Sequence, residues 1–304
     1  IFMLKPNKLA KNNFLSSLDL SSDEVFQILK LADNFRGLLL NSQRVKNQML
    51  RLAVGMKVFG VSKTQLVNVL LPLPTLTEQK SIATVLTDVD ELITGLEKLI
   101  SKKKNVKQGA MQKLLTPTHK GGSRLPGFNR GWATKELGEI CNIKRGQLIS
   151  EKTSIEGLIP VIAGGKSLAY YHNKANRFGK TITISGSGAS AGYVSFHNSP
   201  IFASDCSTIE ESSYYSIKLL YYFLKSKQKD IYNAQTGGAQ PHIYPSNLNP
   251  MKIDIPEKGE QKAIAQILSD MDEEIAQLET KKEKYQSIKQ GMMQELLTGK
   301  TRLI

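Results

Sequence analysis

The chain has 304 residues, of which 40% are hydrophobic and 22% are charged, so it is long enough for one or two domains with their own cores. Its net charge of +14 favours a polyanionic partner, because cationic side chains that neutralise phosphates release condensed counterions. Two cysteines without a CxxC spacing exclude a disulfide framework, and no apolar run approaches the length of a membrane span. We therefore expect a cytoplasmic protein without a membrane partner.

The first predicted elements are two helices and a strand. A helix is expected over 20–36, because serine caps and acidic residues precede an apolar face that Gly37 ends. A second helical stretch over 38–52 carries basic residues on one side. Residues 66–74 have the composition of a strand that two prolines end.

A long helix is predicted over 76–116, and it recurs at 257–298. Positions 78–116 align with 260–298 at a constant offset of 182 without a gap, and 21 of the 39 are identical, which identifies one structural unit used twice. Apolar residues at alternating steps of three and four form a seam on each copy. We expect the two helices to pack antiparallel along this seam; the alternative is two separate amphipathic surface helices. The seam residues are Leu86, Val89, Ile93 and Leu96 in the first copy and Leu268, Met271, Ile275 and Leu278 in the second.

Between the helices, residues 117–125 have the composition of a linker, and 126–256 predict a mixed α/β domain. Short β-prone runs are separated by Gly, Asn and Ser turns, and a helix is expected at about 214–230. The repeat also extends backward, since 55–74 follows 237–256 at the same offset, so 38–75 is expected to be the end of a first such domain that lacks about 80 preceding residues. The predicted fold class is α+β, with a mixed α/β domain and two long antiparallel coiled-coil helices.

No group of residues predicts catalysis, a metal site or a cofactor. The four histidines lack the spacing of metal ligands, and no nuclease-like cluster of carboxylates is present. The Asn/Asp-Pro-Pro-Tyr/Phe tetrad of amino-methyltransferases is also missing, since Asn249-Pro250 is followed by Met251. The sequence therefore favours a binding role.

A binding surface is predicted on the loops of 126–256, where cations, aromatic residues and amides are mixed. These side-chain types position a protein on phosphates and read base edges. For each residue taken singly, a solvated surface role stays an open alternative. The candidate DNA-contacting residues are Lys144, Arg145, Gln147, Lys166, Tyr170, Tyr171, His172, Asn173, Arg177, Ser187, Ser190, Gln240 and His242.

Doubled motifs carry a resemblance to the specificity (S) subunit of type I restriction–modification enzymes. Leu73-Pro74 followed by Thr77-Glu78-Gln79-Lys80-Ser81-Ile82-Ala83 has its copy in Ile255-Pro256 followed by Gly259-Glu260-Gln261-Lys262-Ala263-Ile264-Ala265. Lys107-Gln108-Gly109 and Lys289-Gln290-Gly291 match near the helix ends. Leu125-Pro126-Gly127-Phe128 resembles the usual opening of a target-recognition domain, and the resemblance covers about 38–300.

The resemblance implies a non-catalytic subunit that recognises the DNA target sequence. It implies a remnant of a first target-recognition domain at 38–75, a complete second one at 126–256, and helices at 76–116 and 257–298 that set the spacing between two half-sites. Two methyltransferase subunits would dock on the helices and a motor subunit would cleave DNA. We expect that the chain either binds a single half-site through 126–256 or restores two-fold reading by pairing with a second copy or another S subunit. Residues 299–304 form a tail.

Residues 1–37 depart from this family pattern and are expected to form an atypical helical segment. Residues 13–24 resemble the N-terminal helix region of ornithine or aspartate carbamoyltransferases, but the carbamoyl-phosphate loop of those enzymes is absent. We interpret this match as a fusion, a misassembly or a gene remnant, with chance similarity as the alternative. Two alternative functions therefore stay open beside DNA recognition: a carbamoyltransferase-like enzyme and a coiled-coil scaffold without a DNA role.

Overall fold

The computed structural model describes residues 35, 37–39, 42–53 and 73–303. The expected helix over 20–36 and strand over 66–74 lie almost wholly outside these residues. The chain divides into two compact units: unit 1 comprises Ile1–Ser101 and Ala276–Ile304, and unit 2 comprises Lys102–Ile275. None of the helices formed by the described residues combines the length and the apolar character that a membrane span requires.

The expected α+β fold class is confirmed, since long helices and short strands are both present. The helices are α1 (Gln43–Leu52), α2 (Leu76–Leu114), α3 (Leu137–Ile140), α4 (Ile217–Ser226), α5 (Gln228–Asn233), α6 (Pro245–Leu248) and α7 (Lys258–Leu296). The strands are β1 (Ala133–Glu136), β2 (Lys144–Arg145), β3 (Ile159–Ile162), β4 (Tyr170–His172), β5 (Thr181–Ser185), β6 (Val194–His197), β7 (Phe202–Ala203), β8 (Cys206–Glu210) and β9 (Lys252–Ile255). The helix expected near 214–230 is divided between α4 and α5.

Unit 1 contains the first part of α2 and the last part of α7, which run antiparallel. Lys289 Nζ donates to Asp90 Oδ1 at 2.6 Å, and Lys282 Nζ lies 3.9 Å from Glu97 Oε1. The apolar stripe beside these pairs is buried, as expected for helices that pack on each other. Its buried cluster consists of Phe35, Leu39, Ile82, Ala83, Leu86, Leu296 and Leu297.

Unit 2 contains the last part of α2 and the first part of α7, again antiparallel, with α4 packed against them. Lys107 Nζ donates to Asp272 Oδ1, and this pair is the image of Lys289 and Asp90 at the repeat offset of 182. Lys103 Nζ lies 2.6 Å from Glu274 Oε1. The buried cluster consists of Leu115, Leu219, Tyr222, Phe223, Ile264, Ala265 and Leu268.

Unit 2 also contains three small sheets, together with the short helices α3, α5 and α6. Antiparallel β1 and β9 bring the two ends of the domain together, with Ala133 opposite Ile255. A four-stranded sheet has the order β2-β8-β5-β6, and a three-stranded sheet has the order β4-β3-β7 with β3 and β7 parallel. All five residues of β5 are buried, which suits its β-branched residues. The core of this domain includes Leu137, Ile182, Ile184, Ile209, Leu220, Leu224 and Ile253.

The expected seam residues are buried to different degrees. Leu86 and Leu268, which are equivalent in the repeat, have no exposed surface, and Ile93 and Ile275 are 8% and 7% exposed. The remaining four are partly buried: Val89, Leu96, Met271 and Leu278. Each unit therefore has the same fully buried leucine at the same place in its copy of the repeat.

A buried carboxylate ties the start of each long helix to a segment that follows the other one. In unit 2, Glu260 is fully buried and accepts hydrogen bonds from Arg124 Nε at 3.1 Å and Arg124 Nη2 at 2.7 Å. In unit 1, Glu78 accepts from Arg302 Nε at 2.6 Å and Nη2 at 2.5 Å. The hydrogen bonds from Arg302 lower the pKa of Glu78 although burial opposes this shift. We call these two contacts the Arg–Glu clamps.

Replacing Leu268 with alanine is expected to lower the free energy of unfolding by about 2–5 kcal/mol, because it leaves a cavity among buried side chains. Leu86→Ala should act similarly on unit 1, while Leu92→Ala, at a residue that is 52% exposed, should change stability by about 0.5 kcal/mol or less. Denaturant unfolding measures all three, and equal effects of Leu92→Ala and Leu268→Ala would contradict the packing described.

Arg124→Met is expected to lower the melting temperature more than Arg130→Met does. The first change leaves the buried carboxylate of Glu260 without its bidentate partner, which is costly for a desolvated charge. Arg130 is 80% exposed and lies 3.4 Å from Glu257, so its pairing is screened by water. Thermal unfolding monitored by circular dichroism compares the two variants, and equal shifts would argue against the clamp.

Candidate nucleic-acid interface

Five connecting segments of unit 2 meet on one face, which we call the loop surface. Backbone hydrogen bonds join neighbouring segments, so their positions are fixed by the strands they connect. The loop surface consists of 145–149 from the end of β2 onward, 163–167 between β3 and β4, 186–192 between β5 and β6, 204–205 between β7 and β8, and 235–244 between α5 and α6.

A short hairpin at 236–242 lies against the 186–192 segment. Thr236 and His242 exchange backbone hydrogen bonds, both 2.8 Å long, which close the hairpin. The N–H of Gly188 donates to the carbonyl of Pro241 at 3.0 Å and joins the hairpin to the neighbouring segment. Gln240 is exposed at the tip, so its amide is available to a ligand.

Asp205 anchors the centre of the loop surface. Ser187 Oγ donates to Asp205 Oδ2, and the N–H of Gly186 donates to the carbonyl of Asp205 at 2.9 Å. A Cβ at Gly186 would come within 2.6 Å of Asp205 Oδ1, and one at Gly164 within 2.8 Å of the carbonyl of Ser187. A side chain at Gly164 would meet backbone, and one at Gly186 would meet the Asp205 carboxylate, so glycine suits both positions.

A stack of three side chains stands on the loop surface. The Arg145 guanidinium lies 5.2 Å from the centroid of the Tyr244 ring, and the His242 ring is parallel to Tyr244 at 5.9 Å with an interplanar angle of 8°. Within the part of the chain that the structure describes, no carboxylate pairs with Arg145 and no hydrogen bond engages its guanidinium. This exposed residue therefore presents its N–H donors from a fixed plane.

Seven of the predicted contact residues belong to the loop surface. All are exposed or half-buried side chains with hydrogen-bonding groups. They are Arg145, Gln147, Lys166, Ser187, Ser190, Gln240 and His242.

Four other predicted residues lie on or beside β4, and two of them are engaged in the protein. His172 is 7% exposed, and its Nδ1 lies 3.1 Å from the N–H of Ile155. Tyr170 donates its hydroxyl to the carbonyl of Ile149 at 2.6 Å, and burial raises its pKa. Tyr171 and Asn173 are exposed on the opposite side of the same hairpin strand.

The last two predicted residues, Lys144 and Arg177, are held at the edge of the four-stranded sheet. Lys144 Nζ lies 2.8 Å from Glu210 Oε1. Arg177 donates from Nε to Thr208 Oγ1 at 2.8 Å and from Nη2 to the carbonyl of Arg145 at 3.0 Å. Because these contacts use the guanidinium inside the domain, we assign Arg177 a role in holding β2 rather than in the exposed surface.

Tyr244 and Asp205 are not among the residues predicted from the sequence. Tyr244 follows His242 by two residues, and an extended chain places such residues on the same side, so this spacing could have indicated the pair. Asp205 carries no comparable signal, because its partners Ser187 and Gly186 are distant in sequence.

The buried cysteines do not add chemistry to this surface. Burial raises the pKa of the Cys141 thiol to about 12 and that of Cys206 also to about 12. Each thiol therefore stays protonated near neutral pH, where only a thiolate would be a nucleophile. Among the described residues, no three His, Cys, Asp or Glu side chains come together as metal ligands.

A family model, a curated relative and a solved structure that resemble most of this chain all belong to one protein family. The family model for the type I restriction modification DNA specificity domain matches residues 10–108 and 129–290. The type I restriction enzyme MjaVIII specificity subunit of Methanocaldococcus jannaschii is 27% identical over 331 aligned positions, which cover 97% of this chain and 76% of the relative. The crystal structure of a type I restriction–modification S subunit from M. genitalium has the same fold, with a TM-score of 0.63 and 20% identity over 87% of this chain and 72% of that one.

The carbamoyltransferase likeness is also found, and it is short. An ornithine carbamoyltransferase of Prochlorococcus marinus is 59% identical over 39 residues, which are 13% of this chain and 13% of that enzyme. A segment of this length carries no complete catalytic domain.

Gly146→Ala is expected to destabilise unit 2 by about 1–3 kcal/mol, the usual cost of overpacking. Its Cβ would come within 2.1 Å of the carbonyl oxygen of Ser204, where two segments of the loop surface meet. Gly238→Ala is the matched control, because nothing lies within 4 Å of its added Cβ. Denaturant unfolding of both variants tests the convergence of the segments, and an unaffected Gly146→Ala protein would contradict it.

Proposed function

The chain belongs to the type I restriction modification DNA specificity family, and we propose that its loop surface reads one half-site of a bipartite double-stranded DNA target. The observation that carries this proposal is the Arg145–Tyr244–His242 stack, whose guanidinium has no ion pair or hydrogen bond among the described residues. The exposed amide of Gln240 belongs to the same loop surface. Arginine recognises guanine O6 and N7 with two hydrogen bonds, and glutamine recognises adenine N6 and N7 in the same way.

The proposed role of the chain is to select the DNA target and not to catalyse a reaction. Specificity subunits of this family are non-catalytic; they bind DNA and act with modification (M) and restriction (R) subunits. We assign base reading to the exposed members of the loop surface and leave His172 and Arg177 out of it, because their polar groups are engaged inside the domain.

The proposed domain organisation follows the repeat. Residues 126–256 form the target-recognition domain that carries the loop surface, and 38–75 correspond to the end of a first one. The helices at 76–116 and 257–298 set the spacing between half-sites and support two methyltransferase subunits. Reading of the other half-site is assigned to a second copy of this chain or to another specificity chain in the same complex.

The alternatives have less support. A carbamoyltransferase-like activity rests on 39 residues. A scaffold without a DNA role would not require an exposed arginine held against aromatic rings on a convergent loop surface. DNA binding that shows neither sequence preference nor salt dependence would instead favour the scaffold.

Arg145→Ala is expected to relax recognition at one base pair of one half-site, since loss of a bidentate contact costs about 1–3 kcal/mol of discrimination. The measurement maps methylated adenines in a host that expresses the full chain with its methyltransferase subunit. Lys135→Ala, which removes the same charge from exposed strand β1, should leave the motif unchanged. A folded Arg145→Ala protein with an unchanged motif would remove Arg145 from the reading surface.

A further inference from the structure

Four lysines of unit 2 stand over aromatic rings on β6, α4 and the segment before β6. Lys225 Nζ and Lys166 Nζ lie 4.6 and 5.6 Å from the centroid of the Tyr193 ring. Lys218 Nζ lies 4.0 Å from the ring centroid of Phe196, and Lys107 Nζ lies 5.2 Å from that of Tyr222. We call this set the lysine groove: Lys107, Lys166, Lys218 and Lys225 with Tyr193, Phe196 and Tyr222.

The positive charge of the lysine groove is only partly balanced. Asp272 pairs with Lys107 and also accepts a hydrogen bond from the Tyr222 hydroxyl at 2.8 Å. Within the described residues, no carboxylate lies at ion-pair distance from Lys166, Lys218 or Lys225. Lys225 Nζ donates a 3.3 Å hydrogen bond to the carbonyl of Val194.

The lysines influence one another electrostatically. Burial lowers the pKa of Lys225, and the positive charges of Lys107 and Lys166 lower it further. Burial also lowers the pKa of Lys218, with opposing attraction from Asp272. Holding like charges together costs free energy that a bound anion offsets, so the arrangement favours an anionic ligand.

The lysine groove has room for such a ligand and continues into the loop surface. A cavity of about 460 Å³ lies beside Lys107, Lys225 and Tyr222, and Gln108, Gln112 and Ser226 add neutral polar groups to its wall. Lys166 belongs to the 163–167 segment, so it is shared between the groove and the loop surface. Lys166 and Lys225 face the same Tyr193 ring, which links the lysine groove to the loop surface.

We propose that the lysine groove binds backbone phosphates of the DNA duplex beyond the base pairs that the loop surface reads. The proposal rests on the proposed function and assigns a second, sequence-independent site to the same ligand. Ammonium groups suit this role because they neutralise phosphate as point charges, while the rings beneath them fix their positions. An acidic protein surface is the competing ligand, and the test distinguishes it.

The test measures binding of the full-length chain to a random-sequence duplex by fluorescence anisotropy at several salt concentrations. Each lost phosphate contact should reduce the steepness of log K against log salt by about 0.9. We expect this change for Lys225→Gln and for Lys166→Gln, and about twice the change for the double variant. Lys225→Arg retains the charge and should retain the slope, and Lys135→Gln is the charge-matched control away from the groove.

Two readouts separate the lysine groove from base reading. Affinity for the random duplex reports on phosphate contacts, whereas the ratio of target to random affinity tests the proposed function. Lys225→Gln, at a residue outside the loop surface, should leave that ratio unchanged. Circular dichroism establishes that the variants fold, and Lys166→Gln lies at an exposed loop position, so at least one variant is expected to keep its structure.

Three results would overturn the proposal. One is a slope for Lys225→Gln and Lys166→Gln equal to that of Lys135→Gln. Another is an unchanged slope together with weaker co-elution with the methyltransferase subunit, which would make the groove a protein-binding surface. The third is wild-type binding of random duplex that does not depend on salt.

Discussion

The buried carboxylate of Glu260 is the contact on which the arrangement of unit 2 depends. It accepts two hydrogen bonds from Arg124 and one from Trp132 Nε1 at 3.1 Å, so the start of α7 is fixed to the segment that enters the domain. The Trp132 ring then packs edge-on against Phe223 of α4 at 6.3 Å. A desolvated carboxylate tolerates only a geometry that satisfies it, which is why this contact fixes the position of the domain on its helices.

Unit 1 contains the corresponding contact between an arginine and a buried glutamate, but the chain reaches it through a segment of different length. Arg302-Leu303 follows α7 as Arg124-Leu125 follows α2, but the segment before Arg124 is four residues longer. The side chain of Arg302 reaches Glu78, and the N–H of Leu303 donates to the same carboxylate at 3.3 Å. The repeat therefore preserves an interaction between the start of one helix and the segment after the other, and this interaction needs antiparallel helices.

Within unit 2, the paired strands β1 and β9 and the loop surface have separate physical roles. β1 pairs with β9, and Asp254 accepts hydrogen bonds from Lys120 at 2.8 Å and from Thr134 at 2.6 Å, which holds the two domain ends together. On the loop surface, glycines permit close backbone approach around Asp205, so exposed side chains can vary without disturbing the strands. The proposed base reading and phosphate binding both depend on this fixed frame.

The sequence by itself determined the doubled helices and the family. Periodicity and the 182-residue offset locate the long helices within a few residues of α2 and α7, because both signals depend on local order along the chain. It also predicted seven residues of the loop surface. Only the tertiary structure decided which candidates lie together: His172 and Arg177 turn inward, while Asp205 joins the loop surface through Ser187 and Tyr244 through Arg145, which are far away in sequence. Exposure depends on which strands pair and which segments converge, and those long-range contacts leave no periodic signal in the chain.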